Sequence, residues 1–169
     1  VTPSNPGTVG TVTRTGTGPT PGLATTGTPR DKYDVIGKII VGGAVATASF
    51  QISFDGGVTF SPTYATAASV STFVASTGLT LTFAAGTYVA GDTYTFTTVA
   101  PTYSASDLNT AIDALLADAR EVAFIHVVGT VGGADDATKI SNFVALCSAV
   151  ATKMNTAENA KRWQFAVME

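Results

Sequence analysis

The chain contains one histidine, His126, and one cysteine, Cys147. A site that needs two imidazoles, a thiol-rich metal centre or an internal disulfide cannot be built from them within one chain. His126 stands between Ile125 and Val127 in an apolar run, with no second histidine or nearby cysteine to make it a catalytic base. It reads as a structural, hydrogen-bonded histidine facing a helix layer or a neighbouring subunit. Cys147 follows Leu146 on an apolar stripe and reads as packing, because a reactive thiol needs an electropositive, accessible setting. Gly129-Thr130-Val131-Gly132-Gly133 lies between a predicted strand and a predicted helix, where free helix amides bind phosphate. The run GTVGGADDATK matches neither GxGxxG nor the P-loop pattern, and Asp135 and Asp136 put negative charge where a phosphate would sit. A helix cap is the better reading. Asp113, Asp118, Arg120 and Glu121 read as solvated charges at a helix end. Lys161, Arg162 and Trp163 read as a contact patch with cation–π character, and Arg162 and Trp163 are expected at a subunit interface. No catalytic triad, metal-ligand set or cofactor motif emerges, so the expectation is a non-enzymatic chain with no cofactor.

The elements that carry these residues fall into three stretches. Residues 1–30 are mostly Thr, Gly, Pro, Val and Ala, with five prolines and only Arg14 charged before Arg30. Prolines remove ladder donors and favour edge or extended conformations, so this reads as an extended arm, disordered by itself. Within it Thr11, Val12, Thr13, Arg14 and Thr15 alternate and would form one short strand if an edge were offered. Residues 31–100 change to period two. Strands are expected at 33–41, 46–54, 69–75, 79–83 and 93–99, with Ala48, Phe50, Ile52 and Phe54 on one face and Ser49, Gln51 and Ser53 on the other. Such a sheet is antiparallel, a sandwich or barrel-like module. Asp55 and Asp92, both beside glycines, read as turn residues rather than as a calcium site.

Residues 101–169 read as an α/β portion, helix-strand-helix-strand. Ser104-Ala105-Ser106-Asp107 is a capping-box-like start. The helix it opens carries Leu108, Ile112, Leu115 and Leu116 on one stripe to about residue 119. Residues 121–128, EVAFIHVV, read as a central strand covered on both faces. A second helix is expected from 134 to 156, burying Ile140, Phe143, Val144, Leu146, Cys147 and Val150, before a strand at 162–168. The two strands should be parallel, with a right-handed connection. The fold class is therefore α+β: an arm, an antiparallel β module and a βαβ-containing portion. The chain opens on Val and stops at Glu169 just after an apolar strand, so it is expected to be a processed product or a piece that continues.

Composition narrows the partners. The 169 residues are 45% hydrophobic and only 12% charged, against a usual charged share of about 25%, and the mean hydropathy is +0.30. That excludes a charge-solvated disordered chain. A net charge of −3 with nine dispersed Lys and Arg supplies no footprint for a phosphate backbone, so no nucleic acid is expected. No apolar run approaches the roughly 18–20 residues of a membrane span, and the opening VTPSNPGTVG lacks the parts of a signal peptide.

The runs YDVIGKIIVGG, ATASFQISFDGGVTFS, TGLTLTFAAGTYVAGDTYTFTTVAPTYSASDLNTAIDALLAD and AFIHVVG resemble phage contractile tail-sheath-like structural proteins. The cues are a strand ending in S-x-D-G-G, the G-L-T-L-T-F and G-D-x-Y-x-F strands, and the capped helix leading to F-I-H-V-V-G. The chain is shorter than a full sheath protein. The resemblance implies a virion subunit, assembled in the host cytoplasm, whose partners are copies of itself and a tail tube or other virion proteins. It also implies that residues 11–15 exchange strands between subunits by β-augmentation, so that deleting residues 1–30 would weaken assembly and spare the fold. The rival reading is a surface or phage adhesin whose sheet displays Tyr64, Tyr88 or Tyr94 to a glycan or receptor.

Overall fold

A computed structural model describes residues 4–117, 124–128, 131–133, 135–159 and 165–168. The chain is α+β and divides into two compact units, residues 7–100 and residues 101–169 together with the first six.

The β unit contains β1 (Thr8–Val9), β2 (Thr13–Thr15), β3 (Leu23–Gly27), β4 (Asp34–Val41), β5 (Gly43–Ala44), β6 (Ser49–Ser53), β7 (Tyr64–Ala65), α1 (Val74–Thr77), β8 (Leu79–Phe83), β9 (Thr87–Tyr88) and β10 (Thr93–Val99). Its main sheet runs β1-β10-β4-β6-β7, with β2 also on β10, and β3–β8 and β5–β9 form two further pairs. Every pairing among these strands is antiparallel. Alternation sets the faces: Tyr94, Phe96 and Thr98 of β10 are buried while Thr97 and Val99 are exposed. Val35 and Ile39 of β4, Phe50 and Ile52 of β6, and Leu79, Leu81 and Phe83 of β8 join Leu23, Tyr88 and Tyr94 in one core. A bulge between Ile39 and Val41 shifts the β4–β6 register and leaves Ile40 partly in solvent.

Two expectations change here. The segment read as a free arm supplies β1, β2 and β3 to the same compact unit, and Leu23 is only 2% exposed. Removing residues 1–30 would therefore strip three strands and a core side chain, rather than spare the fold. The strand expected at 69–75 is instead a bridge at Val70 followed by the single turn α1. Val70 and Phe73 are both buried: Val70 pairs through its main chain with Leu81 and Phe73 stands at the N-cap of α1, whereas in one continuous strand their odd spacing would put them on opposite faces. Gly78, at φ 80°, closes the turn in the left-handed region.

The second unit contains α2 (Ala105–Ala117), β11 (Phe124–Val127), α3 (Asp136–Asn159) and β12 (Phe165–Met168). The capping box forms: the Asp107 amide donates to the Ser104 hydroxyl at 3.2 Å and the Ser104 amide donates to the Asp107 carboxylate at 2.8 Å. Ser4 adds its amide and hydroxyl to the same carboxylate at 2.9 and 2.7 Å, and Asn5 bridges to Thr102. Strands β11 and β12 pair in parallel. Ile112, Ile125 and Val150 centre the small core, with Leu108, Leu116, Val127, Met154 and Ala166 against it.

The burial expected of this unit is only partly met. On α3, Leu146, Val150 and Ala157 are buried, Cys147 is half-buried, and Ile140, Phe143 and Val144 are exposed. On α2, Leu115 is exposed. Strand β11 is not covered on both faces among the described residues, since Ile125 is buried but Phe124 and Val128 are exposed, as is Val167 of β12. Two helices packed on one side of a two-stranded sheet cover one face and one narrow stripe of each helix.

Candidate functional site

The N-terminal strands meet the sheet at β10. Thr13, Arg14 and Thr15 lie opposite Thr95, Tyr94 and Thr93, and Thr8 and Val9 lie opposite Val99 and Thr98. Between them the Gly10 amide donates to the Thr97 carbonyl at 2.8 Å. Thr11, Thr13 and Thr15 are exposed and Arg14 is half-buried, whereas Val9 and Val12 pack partly against the core. The strap at 7–15 is thus held mainly through its main chain, along the flank of β10 that β4 does not occupy. The strand expected over residues 11–15 exists at 13–15, and the edge it occupies belongs to its own chain.

Beyond the strap, the chain turns over a buried carboxylate. Asp92 is 5% exposed. It accepts the Gly18 amide at 2.5 Å and the Thr17 amide at 3.3 Å, while its own carbonyl accepts the Ile39 amide at 2.9 Å, tying the turn to β4. Arg14 donates from Nη1 to the Gly18 carbonyl. Gly16 and Gly18 are required by this approach: a Cβ on Gly18 would lie 2.6 Å from the Asp92 carboxylate, and one on Gly16, whose φ is +128°, would overlap it.

Two tyrosines fix the chain that follows. The Tyr94 hydroxyl donates to the Pro19 carbonyl at 3.3 Å and the Tyr88 hydroxyl reaches the Gly22 carbonyl at 2.6 Å and that of Ala84 at 2.8 Å. Burial raises both phenols, Tyr88 to about 12. For Tyr94 the negative charge of Asp92 adds to the rise and Arg14 opposes it. Both rings are 1% exposed, and Tyr64 packs edge-on against Phe73. Tyr88 and Tyr94 are therefore not displayed to any glycan or receptor, which removes two of the three residues the adhesin reading relied on.

The remaining candidates are dispersed. Asp55 accepts the Ser53 hydroxyl at 2.6 Å and the Thr59 amide and hydroxyl at 2.9 and 2.6 Å, which hold its carboxyl well below the usual range, the Ser53 bond foremost. It closes the turn that presents Val58 to solvent. Asp135 caps α3 through the Thr138 amide at 2.7 Å, and that bond lowers its carboxyl; the Gly132 carbonyl accepts from the Asn142 side chain at 2.6 Å. Asp113 pairs with Lys153 at 2.6 Å on the surface. His126 is exposed and stacks on Phe124, ring centroids 6.1 Å apart, so it does not face the helices. Arg162 and Trp163, like Asp118, Arg120, Glu121, Gly129 and Thr130, lie outside the described residues. Among the described residues no three His, Cys, Asp or Glu gather as metal ligands, and no helix is long and apolar enough to cross a membrane.

Sequence reasoning missed Asp92 as the anchor of the strap. Its partner Gly18 is 74 positions away, and a Gly-Asp pair at a strand start reads locally as a turn. Comparison with known proteins returns no match: no family model, no curated protein and no solved structure matches the chain.

Proposed function

We propose that this chain is a non-enzymatic structural subunit, tail-sheath-like, that associates with copies of itself into rings or tubes through strand pairing by its N-terminal segment. The observation that carries the reading is the strap on β10: β1 and β2 dock mainly by backbone bonds, with Val9 and Val12 only partly buried. Backbone pairing of this kind is indifferent to which copy supplies the strand, so an exchange between identical chains conserves every ladder bond. The exposed apolar residues of the second unit, including Ile140, Val144 and Val128, give further surface for burial between copies.

Light scattering over a concentration series, with negative-stain imaging of the same samples, tests the reading. Rings, tubes or concentration-dependent growth that is lost on deleting residues 1–15 is the expected result. A strict monomer at every concentration overturns it.

A further inference from the structure

We infer that the Asp92 carboxylate is a clasp that keeps residues 7–18 closed on their own β10, with the junction between Gly18 and Pro19 as the hinge. The consequence for assembly, but not the clasp itself, rests on the self-association proposed above.

The two sides of that junction are held differently. Upstream, β1 and β2 contribute a main-chain ladder and two half-buried valines, which leaves little apolar area to hold them. They are held at both ends: before Gly7 by the Ser4 bonds to Asp107 and the Asn5–Thr102 bridge, and at the hinge end by the turn at Gly16–Gly18, whose Thr17 and Gly18 amides point at one buried carboxylate. Downstream, the chain belongs to the core: Tyr94 and Tyr88 bond the Pro19 and Gly22 carbonyls, and Leu23 is buried. Asp92 is itself fixed to β4 through its carbonyl, so the carboxylate is a stationary post and the strap is the part that moves. Bonds from amides to an ionised acceptor in a buried setting are stronger than the neutral ladder bonds beside them. Losing the carboxylate frees both amides together, and the strap opens while β3 and the rest of the core stay closed. Opening exposes the flank of β10 to the strap of another copy. The clasp therefore sets how often a chain is available for exchange.

Hydrogen exchange of the intact chain, read by NMR or mass spectrometry, tests this with Asp92→Ala and the milder Asp92→Asn, which keeps one acceptor. In Asp92→Ala the strap amides, Gly10 and those of β2, are expected to exchange at least about tenfold faster, with β4 and β6 amides unchanged; Asp92→Asn should fall between. A synthetic peptide of residues 5–17 should bind the Ala variant and not the unsubstituted chain. Unchanged strap exchange, equal acceleration in β4 and β6, or unfolding of the whole β unit in Asp92→Ala each overturns the clasp. Faster strap exchange with no polymer under any condition supports the clasp and counts against self-association.

Discussion

Tyr33 and Thr98 are joined twice over: the Thr98 amide donates to the Tyr33 carbonyl at 2.9 Å, and the Tyr33 amide donates to the Thr98 hydroxyl at 2.8 Å. That hydroxyl in turn donates to the Asp31 carbonyl at 2.9 Å, and Thr98 is 1% exposed. One side chain thus satisfies a donor and an acceptor where the chain enters β4. Thr98→Val keeps the shape and orphans both groups, which should cost about 1–3 kcal/mol; Thr98→Ser should recover most of it. Urea unfolding of the three proteins decides, and equal midpoints would show that water replaces the hydroxyl.

Leu23 distinguishes the strap from the core. Leu23→Ala should destabilise the β unit by about 2–5 kcal/mol, because the residue is 2% exposed and its strand pairs with β8. Deleting residues 1–15 should leave a cooperative unfolding transition, whereas deleting 1–30 should abolish it. Circular dichroism melts of both truncations give the answer.

Asp107 ties part of the stability of the second unit to acid. The Ser104 amide, then the hydroxyl and amide of Ser4, lower its carboxyl from the ordinary 3.8 to about 2. A carboxylate depressed on folding stabilises the folded form above its unfolded pKa and loses that contribution as pH falls through the folded one. The unit should therefore weaken between about pH 4 and pH 2, and Asp107→Asn should flatten that part of the profile. Carbon-detected NMR titration of Asp107 is the direct check, and a midpoint near 3.8 would refute the capping network.

Ala46 sits at φ 74° in an exposed turn, a conformation that costs a residue bearing a Cβ roughly 1 kcal/mol or more. Ala46→Gly removes that cost and adds freedom to the unfolded chain. The balance should be neutral to about 1 kcal/mol stabilising, readable as a rise in Tm. Gly78→Ala is its opposite: φ is 80° and the new methyl would overlap the Thr28 carbonyl, so a loss of more than about 1 kcal/mol is expected.

The β module was legible where alternation is strong. Strands at 79–83 and 93–99 form with the expected bounds, since Leu-Thr-Leu-Thr-Phe and Thr-Tyr-Thr-Phe-Thr sort their faces unaided. The same alternation puts Tyr94 beside Phe96 on the inner face, so the burial of that ring was in the pattern although its partner Pro19 was not. The capping box on α2 and the parallel pairing of β11 with β12 also follow from local signals. What was hidden depends on distant chain. β1 and β2 are only two and three residues long: the alternation at 11–15 foretold a strand given an edge, but not that the chain's own β10 supplies it, and Asp92 acquires its role only when Gly18 arrives. Strong apolar content misled at Ile140 and Val144, because an apolar helix position says that burial is favourable and not that a neighbour exists to provide it.

The sheet order also dictates a timetable. The first strands of the β unit pair with its last one, so as the polypeptide leaves the ribosome β1 and β2 have no ladder to join until β10 has emerged. β4 and β6 can zip together long before then, leaving the β10 side of β4 bare and the leading segment loose throughout most of translation. During that interval the flank that receives the strap does not yet exist, so closure of residues 7–15 is the last pairing the β unit can make.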